Sequence, residues 1–181
     1  RDLRSGQNTV IAAGGSVNGR LSWMPDAKSL MLISDSSGSA ALYSWRSDGG
    51  GMRALPTYDP RPVFGATWSR DGQWLVLRTD DTKEGKADIL RVRPKVDSKA
   101  SPIVASKEFG EYGPELSPDG RWLAYVSNES GRYEVYVQPF PGPGAKRQVS
   151  VGGGTSPVWG RPQGGMFYQN GTAMMTVSVR T

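Results

Sequence analysis

Four copies of one strand–turn–strand pattern, a high content of glycine and aromatic residues, and little helical periodicity predict an all-β chain: a β-propeller of four-stranded antiparallel blades, about four of them present. The pattern occupies residues 21–33, 66–77, 114–125 and 157–168. Its anchor position holds Trp23, Trp68, Leu116 and Trp159, at spacings of 45, 48 and 43 residues. Seven residues after each anchor stands an apolar residue: Leu30, Leu75, Leu123 and Met166. A period in the low to mid forties is the length of one propeller blade. The 24 glycines and 13 prolines suit many tight turns, and six Trp with seven Tyr exclude a disordered chain.

Each unit reads the same way internally. A short strand ends at the anchor, and a turn such as Ser117-Pro118-Asp119-Gly120 follows. There Pro presets φ, Asp bonds to nearby backbone and Gly is free to take positive φ. A second strand carries the apolar run. Polar turns come next, at 35–39, 80–85, 128–131 and 170–171. Third strands are expected at 41–45, 88–92, 134–137 and 174–179, and rim-forming fourth strands at 52–55, 102–105 and 148–151. Residues 7–12 read as a fourth strand with no blade before it. The expected division of a single domain, 1–181, is therefore an outer strand of a split blade (1–19), blades at 20–65, 66–113 and 114–156, and three inner strands at 157–181. Pairing of 7–12 with 174–179 would close a four-bladed ring. Without it, the chain is a segment of a larger ring, and association of copies is one way to cover its open edges.

The absences constrain chemistry. The chain has no His and no Cys, so it builds neither Ser-His-Asp nor Cys-His catalysis by itself, and imidazole or thiolate metal sites are excluded. It carries no Gly-x-Ser-x-Gly, no His-Arg-Asp and no Asp-Phe-Gly. The expectation is a non-enzymatic chain with no cofactor and no metal. The compartment stays open, because a cysteine-free chain folds in either redox environment. Arg1-Asp2-Leu3-Arg4 lacks the apolar stretch of a leader, and no apolar run is long enough to insert in a membrane. Net charge is +5, but basic residues are dispersed, which argues against nucleic acid as the partner.

Residues 116–126 (Leu-Ser-Pro-Asp-Gly-Arg-Trp-Leu-Ala-Tyr-Val) resemble the TolB-type, WD-like propeller repeat, and the likeness extends over residues 20–181. Residues 127–179 are more particular, with Gly152-Gly153-Gly154-Thr155-Ser156-Pro157-Val158-Trp159 and Met166-Phe167-Tyr168-Gln169-Asn170-Gly171. They resemble the propellers that follow bacterial serine/threonine protein kinase domains. The resemblance implies a six-bladed ring acting as a sensor or interaction domain, in a bacterial setting. Two turns depart from the pattern: Met24-Pro25-Asp26-Ala27 lacks the Gly, and Arg161-Pro162-Gln163-Gly164 lacks the Asp.

Recurring Asp26, Asp71 and Asp119 admit a cation or catalytic reading and a turn-stabilising one; their recurrence with turn chemistry favours the turn. Asp80-Asp81 with Glu84 is a hard-cation candidate set against a solvated turn. Trp23, Trp68 and Trp159 admit stacking on a sugar or base, and packing between blades. Asn128-Glu129-Ser130 and Asn170-Gly171-Thr172 match the glycosylation pattern and read as turns. The loops entering each innermost strand, at 18–20, 58–65, 109–115 and 152–157, surround one mouth of a propeller. They carry Arg20, Tyr58, Asp59, Arg61, Phe64, Glu111, Tyr112 and Glu115. Aromatics and both charges on loops held by a rigid scaffold suit recognition of a protein or peptide. The second reading is an accessory domain of a larger enzyme, either kinase sensor or peptidase gate.

Overall fold

The structure is a computed structural model and describes residues 18–46, 48, 50–81, 86–160 and 165–179. Among the described residues there are fifteen strands and no helix. The first blade is β1 (Asn18–Trp23), β2 (Ser29–Ser34), β3 (Ala41–Arg46) and β4 (Met52–Ala54). The second is β5 (Val63–Trp68), β6 (Leu75–Asp81), β7 (Lys86–Val92) and β8 (Ser101–Val104). The third is β9 (Glu111–Leu116), β10 (Trp122–Ser127), β11 (Glu134–Pro139) and β12 (Arg147–Gln148). The fourth has β13 (Thr155–Trp159), β14 (Gly165–Asn170) and β15 (Ala173–Ser178). Every pairing is between sequence neighbours and antiparallel, as a meander of short turns dictates. The proposed strand at 7–12 lies outside the described residues, as do Glu84 and the 161–164 turn.

The chain divides into two compact units, residues 1–57 and 58–181. The first unit's blade buries Met31, Leu32, Ile33, Leu42 and Tyr43. Trp23 does not share in that burial and is 60% exposed.

The second unit explains why its middle strands read as unbroken apolar runs instead of alternating ones. On β10, Leu123 and Tyr125 face the second blade, packing with Val76, Ile89, Tyr136 and Phe140. Ala124 and Val126 face the fourth blade, packing with Val135, Val137, Met166 and Tyr168. A strand covered on both faces has no solvent side to make polar. Trp159 packs against the second of these clusters and donates its Nε1–H to the Glu115 carbonyl at 3.1 Å. At this anchor position the blade-packing reading holds.

The recurring Asp is a turn residue in all three places. Asp71 Oδ1 accepts from Ser69 Oγ at 2.6 Å and from Gln73 N at 3.0 Å, while Ser69 Oγ accepts from Trp74 N at 2.9 Å. Asp119 repeats this with Ser117 Oγ (2.6 Å) and Arg121 N (3.1 Å). Asp26 accepts from Lys28 N and Ser29 N, both at 2.8 Å. The Ser69 hydroxyl and the Gln73 amide hold the Asp71 carboxyl below the ordinary carboxylate range.

The first turn lacks the glycine and is strained for it. Ala27 sits at φ 52°, where Gly72 and Gly120 have φ 70° and 71°. A side chain in that region costs roughly 1–2 kcal/mol, partly offset by the entropy glycine loses on folding. Ala27→Gly is therefore expected to stabilise the protein by about 0.5–1 kcal/mol, read as a higher urea midpoint with an unchanged denaturant slope.

Candidate functional site

The first strands of the second and third blades, β5 and β9, lie next to each other, and an arginine reaches over both. Arg78 stands on β6 directly opposite Gly65 on β5. A Cβ at Gly65 would come within 3.3 Å of the Arg78 Cβ, so the glycine leaves the space the arginine crosses. The Arg78 guanidinium ends 4.4 Å from the centre of the Tyr112 ring and 5.9 Å from that of Phe64. Asp80 fixes it from behind, accepting from Nε at 2.8 Å and Nη2 at 2.6 Å. Tyr112 in turn meets Tyr133 edge to face, centroids 5.6 Å apart at 78°. Burial, then the neighbouring Tyr133 hydroxyl, pushes the Tyr112 phenol up. Its backbone support is also specific: Gly110 donates to Asn128 Oδ1 at 3.0 Å, and a Cβ there would lie 2.5 Å from the Tyr112 hydroxyl.

A second cluster borders the first. Arg61 donates to Asp59 Oδ1 through both its backbone N–H and its Nε, each at 2.9 Å, and through Nη1 to Asp88 at the start of β7. Its hydrogen bonds to Asp59 lead the causes that hold the guanidinium above its usual range, with Asp88 adding to them. Glu111, the first residue of β9, is 1% exposed. Its Oε2 has no hydrogen-bond partner among the described residues. Burial, reinforced by the charges of Asp88 and Glu129, pushes this carboxyl up to about 7.

The loops that enter β9 and β13 are tied down from the third strand of the blade before them. Lys86, first in β7, donates Nζ to the Lys107 carbonyl. Glu134, first in β11 and 2% exposed, accepts from Gly153 N at 2.8 Å and from Ser150 Oγ. Ser150 Oγ also accepts from Val135 N at 2.7 Å.

The eight residues singled out by topology therefore separate. Phe64 and Tyr112 join one cluster, and Asp59 and Arg61 the ionic cluster beside it. Glu111 is buried beneath them, and Glu115 lends its carbonyl to Trp159. Tyr58 packs toward the other end of its blade: its carbonyl accepts from Ala100 N at 2.9 Å and its hydroxyl donates to the Pro94 carbonyl at 3.5 Å. Arg20 belongs to β1 in the first unit, and its side chain is outside the described set. Arg78, Asp88 and Tyr133 were missed as site residues, and Asp80, weighed as part of a cation set or a solvated turn, instead holds the Arg78 guanidinium. Part of the signal for Arg78 was present, a charge ending the apolar run Leu75-Val76-Leu77; the glycine opposite it comes from register. Among the described residues no group of three or more acidic side chains is placed to hold a metal ion, and no helix is long and apolar enough to cross a membrane.

Comparison with known proteins agrees with this architecture. A model of the TolB beta propeller domain matches residues 1–161. The chain is 29% identical over 154 residues to a Bacillus subtilis (strain 168) protein named uncharacterized peptidase YuxL, an alignment covering 64% of this chain and 23% of that protein. Among solved structures, a putative TolB from Agrobacterium tumefaciens superposes with TM-score 0.71 at 20% identity, covering 88% of this chain and 56% of the other. TolB from Acinetobacter baumannii gives TM-score 0.72 at 13% identity, covering 90% and 41%. The chain thus spans about a quarter of the first relative and about half of these solved proteins. The chain belongs to the TolB β-propeller domain family.

Proposed function

We propose that the chain is a non-catalytic interaction module that recognises a protein or peptide through the cluster of Phe64, Arg78, Tyr112 and Tyr133. The observation that carries this reading is the partly exposed Arg78 guanidinium held over the Tyr112 ring by Asp80. Aromatic and arginine side chains dominate binding energy at protein interfaces, most of all when their rotamers are fixed beforehand. Here the fixing comes from strands, a bidentate carboxylate and two glycines, so little ordering remains to be done on binding. The mixed charges of Asp59, Arg61 and Asp88 supply a polar rim.

The test is a peptide selected from a displayed random library against the wild-type protein. Arg78→Gln and Tyr112→Ala are each expected to weaken it at least about tenfold, corresponding to about 1.4 kcal/mol or more. Arg121→Gln, on an exposed turn at the opposite end of the blade, is expected to leave it unchanged. Selected peptides that bind both cluster variants as tightly as wild type would refute the assignment.

The second reading is an accessory propeller of a larger enzyme. The peptidase name of the Bacillus relative, and the quarter of it that this chain matches, favour a peptidase-gating role over a kinase sensor, whose support is the pattern of residues 127–179. In that setting the same cluster would meet the substrate peptide. A hydrolase domain in the extended reading frame, with peptide turnover that Arg78→Gln alters, supports this reading; a frame without one removes it.

A further inference from the structure

We propose that a cleft of about 460 Å³ at the other end of the second blade binds a ligand through an anionic group, a carboxylate or a phosphate. It is lined where β6 begins and β7 ends, by Trp74, Arg91, Arg93, Asp97, Ser98 and Lys99 among others. The Arg78 cluster lies further along β6, with Arg78 four residues past Trp74, so the two sites are separated by about 13 Å of strand.

The charges in the cleft do not balance. Asp97 is its one carboxylate, and it is already committed to Arg93, accepting from the backbone N at 2.8 Å, Nη2 at 2.9 Å and Nε at 3.2 Å. The turn that presents it is closed by Val96 N and Asp97 N donating to the Arg93 carbonyl at 2.9 and 2.8 Å. Arg91 and Lys99 make no ion pair among the described residues. Arg91 also acts on the Asp97 charge, so three cations share one carboxylate on one concave surface, and the excess is positive.

Arg91 is also pre-positioned. Its guanidinium sits 5.7 Å from the centre of the Trp74 ring, and that of Arg93 sits 5.4 Å from it. The indole is itself braced edge-on by Phe140, centroids 5.6 Å apart at 81°. A guanidinium laid on an aromatic ring and rooted in a strand loses little freedom when an oxyanion takes its planar fork. The Ser98 and Ser101 hydroxyls line the same cleft and add donors suited to a phosphate or carboxylate. An indole carrying two guanidiniums is not a free stacking platform, so the recognised part of the ligand is its anion.

The test is calorimetric titration of the full chain with inorganic phosphate, and separately with glutarate, at constant ionic strength. Saturable binding in the millimolar range is expected for at least one of them. The affinity should fall at least about tenfold in Arg91→Gln and several-fold in Lys99→Gln, and should be unchanged in Arg53→Gln, which removes the same charge from exposed β4. The indole N–H resonance that Trp74→Phe deletes should shift during the titration. Binding of phosphate alone assigns a phosphorylated ligand, and binding of glutarate alone a carboxylate one. Lys99 lies on an exposed turn, so its variant decides the matter if Arg91→Gln fails to fold. No saturable binding of either anion, or an equal loss in Arg53→Gln, would overturn the proposal.

Discussion

Glu111→Gln is expected to leave stability near wild type at pH 4.5 and to raise it by about 3 kcal/mol at pH 8. The carboxyl titrates near 7 in the folded protein against an ordinary value of 4.5. Its folded value is raised, so the native state holds the proton more tightly than the unfolded chain does. Stability from this group is therefore fully present at low pH and is lost as pH rises from about 4.5 to about 7. Above that range the protein keeps an ionised carboxylate 1% exposed, with one oxygen lacking a hydrogen-bond partner, and with Asp88 and Glu129 close by. Arg61 on Asp88 and Lys146 on Glu129 soften that repulsion without removing it. Glutamine has the shape of the protonated acid and cannot ionise. Urea unfolding of both proteins at the two pH values isolates the effect, because other groups titrate alike in each. An equal stability difference at pH 4.5 and pH 8 would show that Glu111 keeps an ordinary carboxylate titration.

Glu134→Ala is expected to destabilise the protein by about 3 kcal/mol and to loosen the loop that enters β13. The substitution leaves the Gly153 N–H and the Ser150 hydroxyl without their acceptor. Hydrogen bonds to a charged acceptor are each worth about 1.5–3 kcal/mol. Gly154→Ala should act on the same knot from the other side, since its Cβ would lie 2.3 Å from Ser150 Oγ and 2.6 Å from Ser150 Cβ. Amide exchange at 152–157 should accelerate in both variants, with exchange in β10 rising only as far as overall stability falls. A Glu134→Ala protein with wild-type exchange in this loop would show that the carboxylate does not anchor it.

The repeat was legible because its strongest signals are local. An anchor, a Ser-x-Asp-Gly turn and an apolar run fall within a dozen residues, and each is satisfied by its own turn or strand, as the Ser117–Asp119 hydrogen bond shows. The role of Asp71 followed from recurrence alone. The candidate surface was legible only in part, since its contacts join different blades. Gly65 reads only as the end of the 58–65 loop, and Arg78 carries no reading until register sets them opposite each other. Glu134 reads as a polar strand start, and only the fold brings Gly153 to it. Tyr58 shows the converse: sequence places it in a loop entering an inner strand, but the path of that loop carries it to Pro94 and Ala100. Loop path depends on packing that no spacing encodes.

The Arg78–Tyr112 cluster is, on the function proposed above, where the module meets its partner. Hydrogen exchange of the full chain, with and without a peptide selected for binding, tests it most directly. Slowed exchange is expected at residues 61–65, 78–81, 110–113 and 132–134, abolished with the binding in Arg78→Gln. Protection that leaves all four segments unchanged and falls elsewhere on the second unit would contradict it.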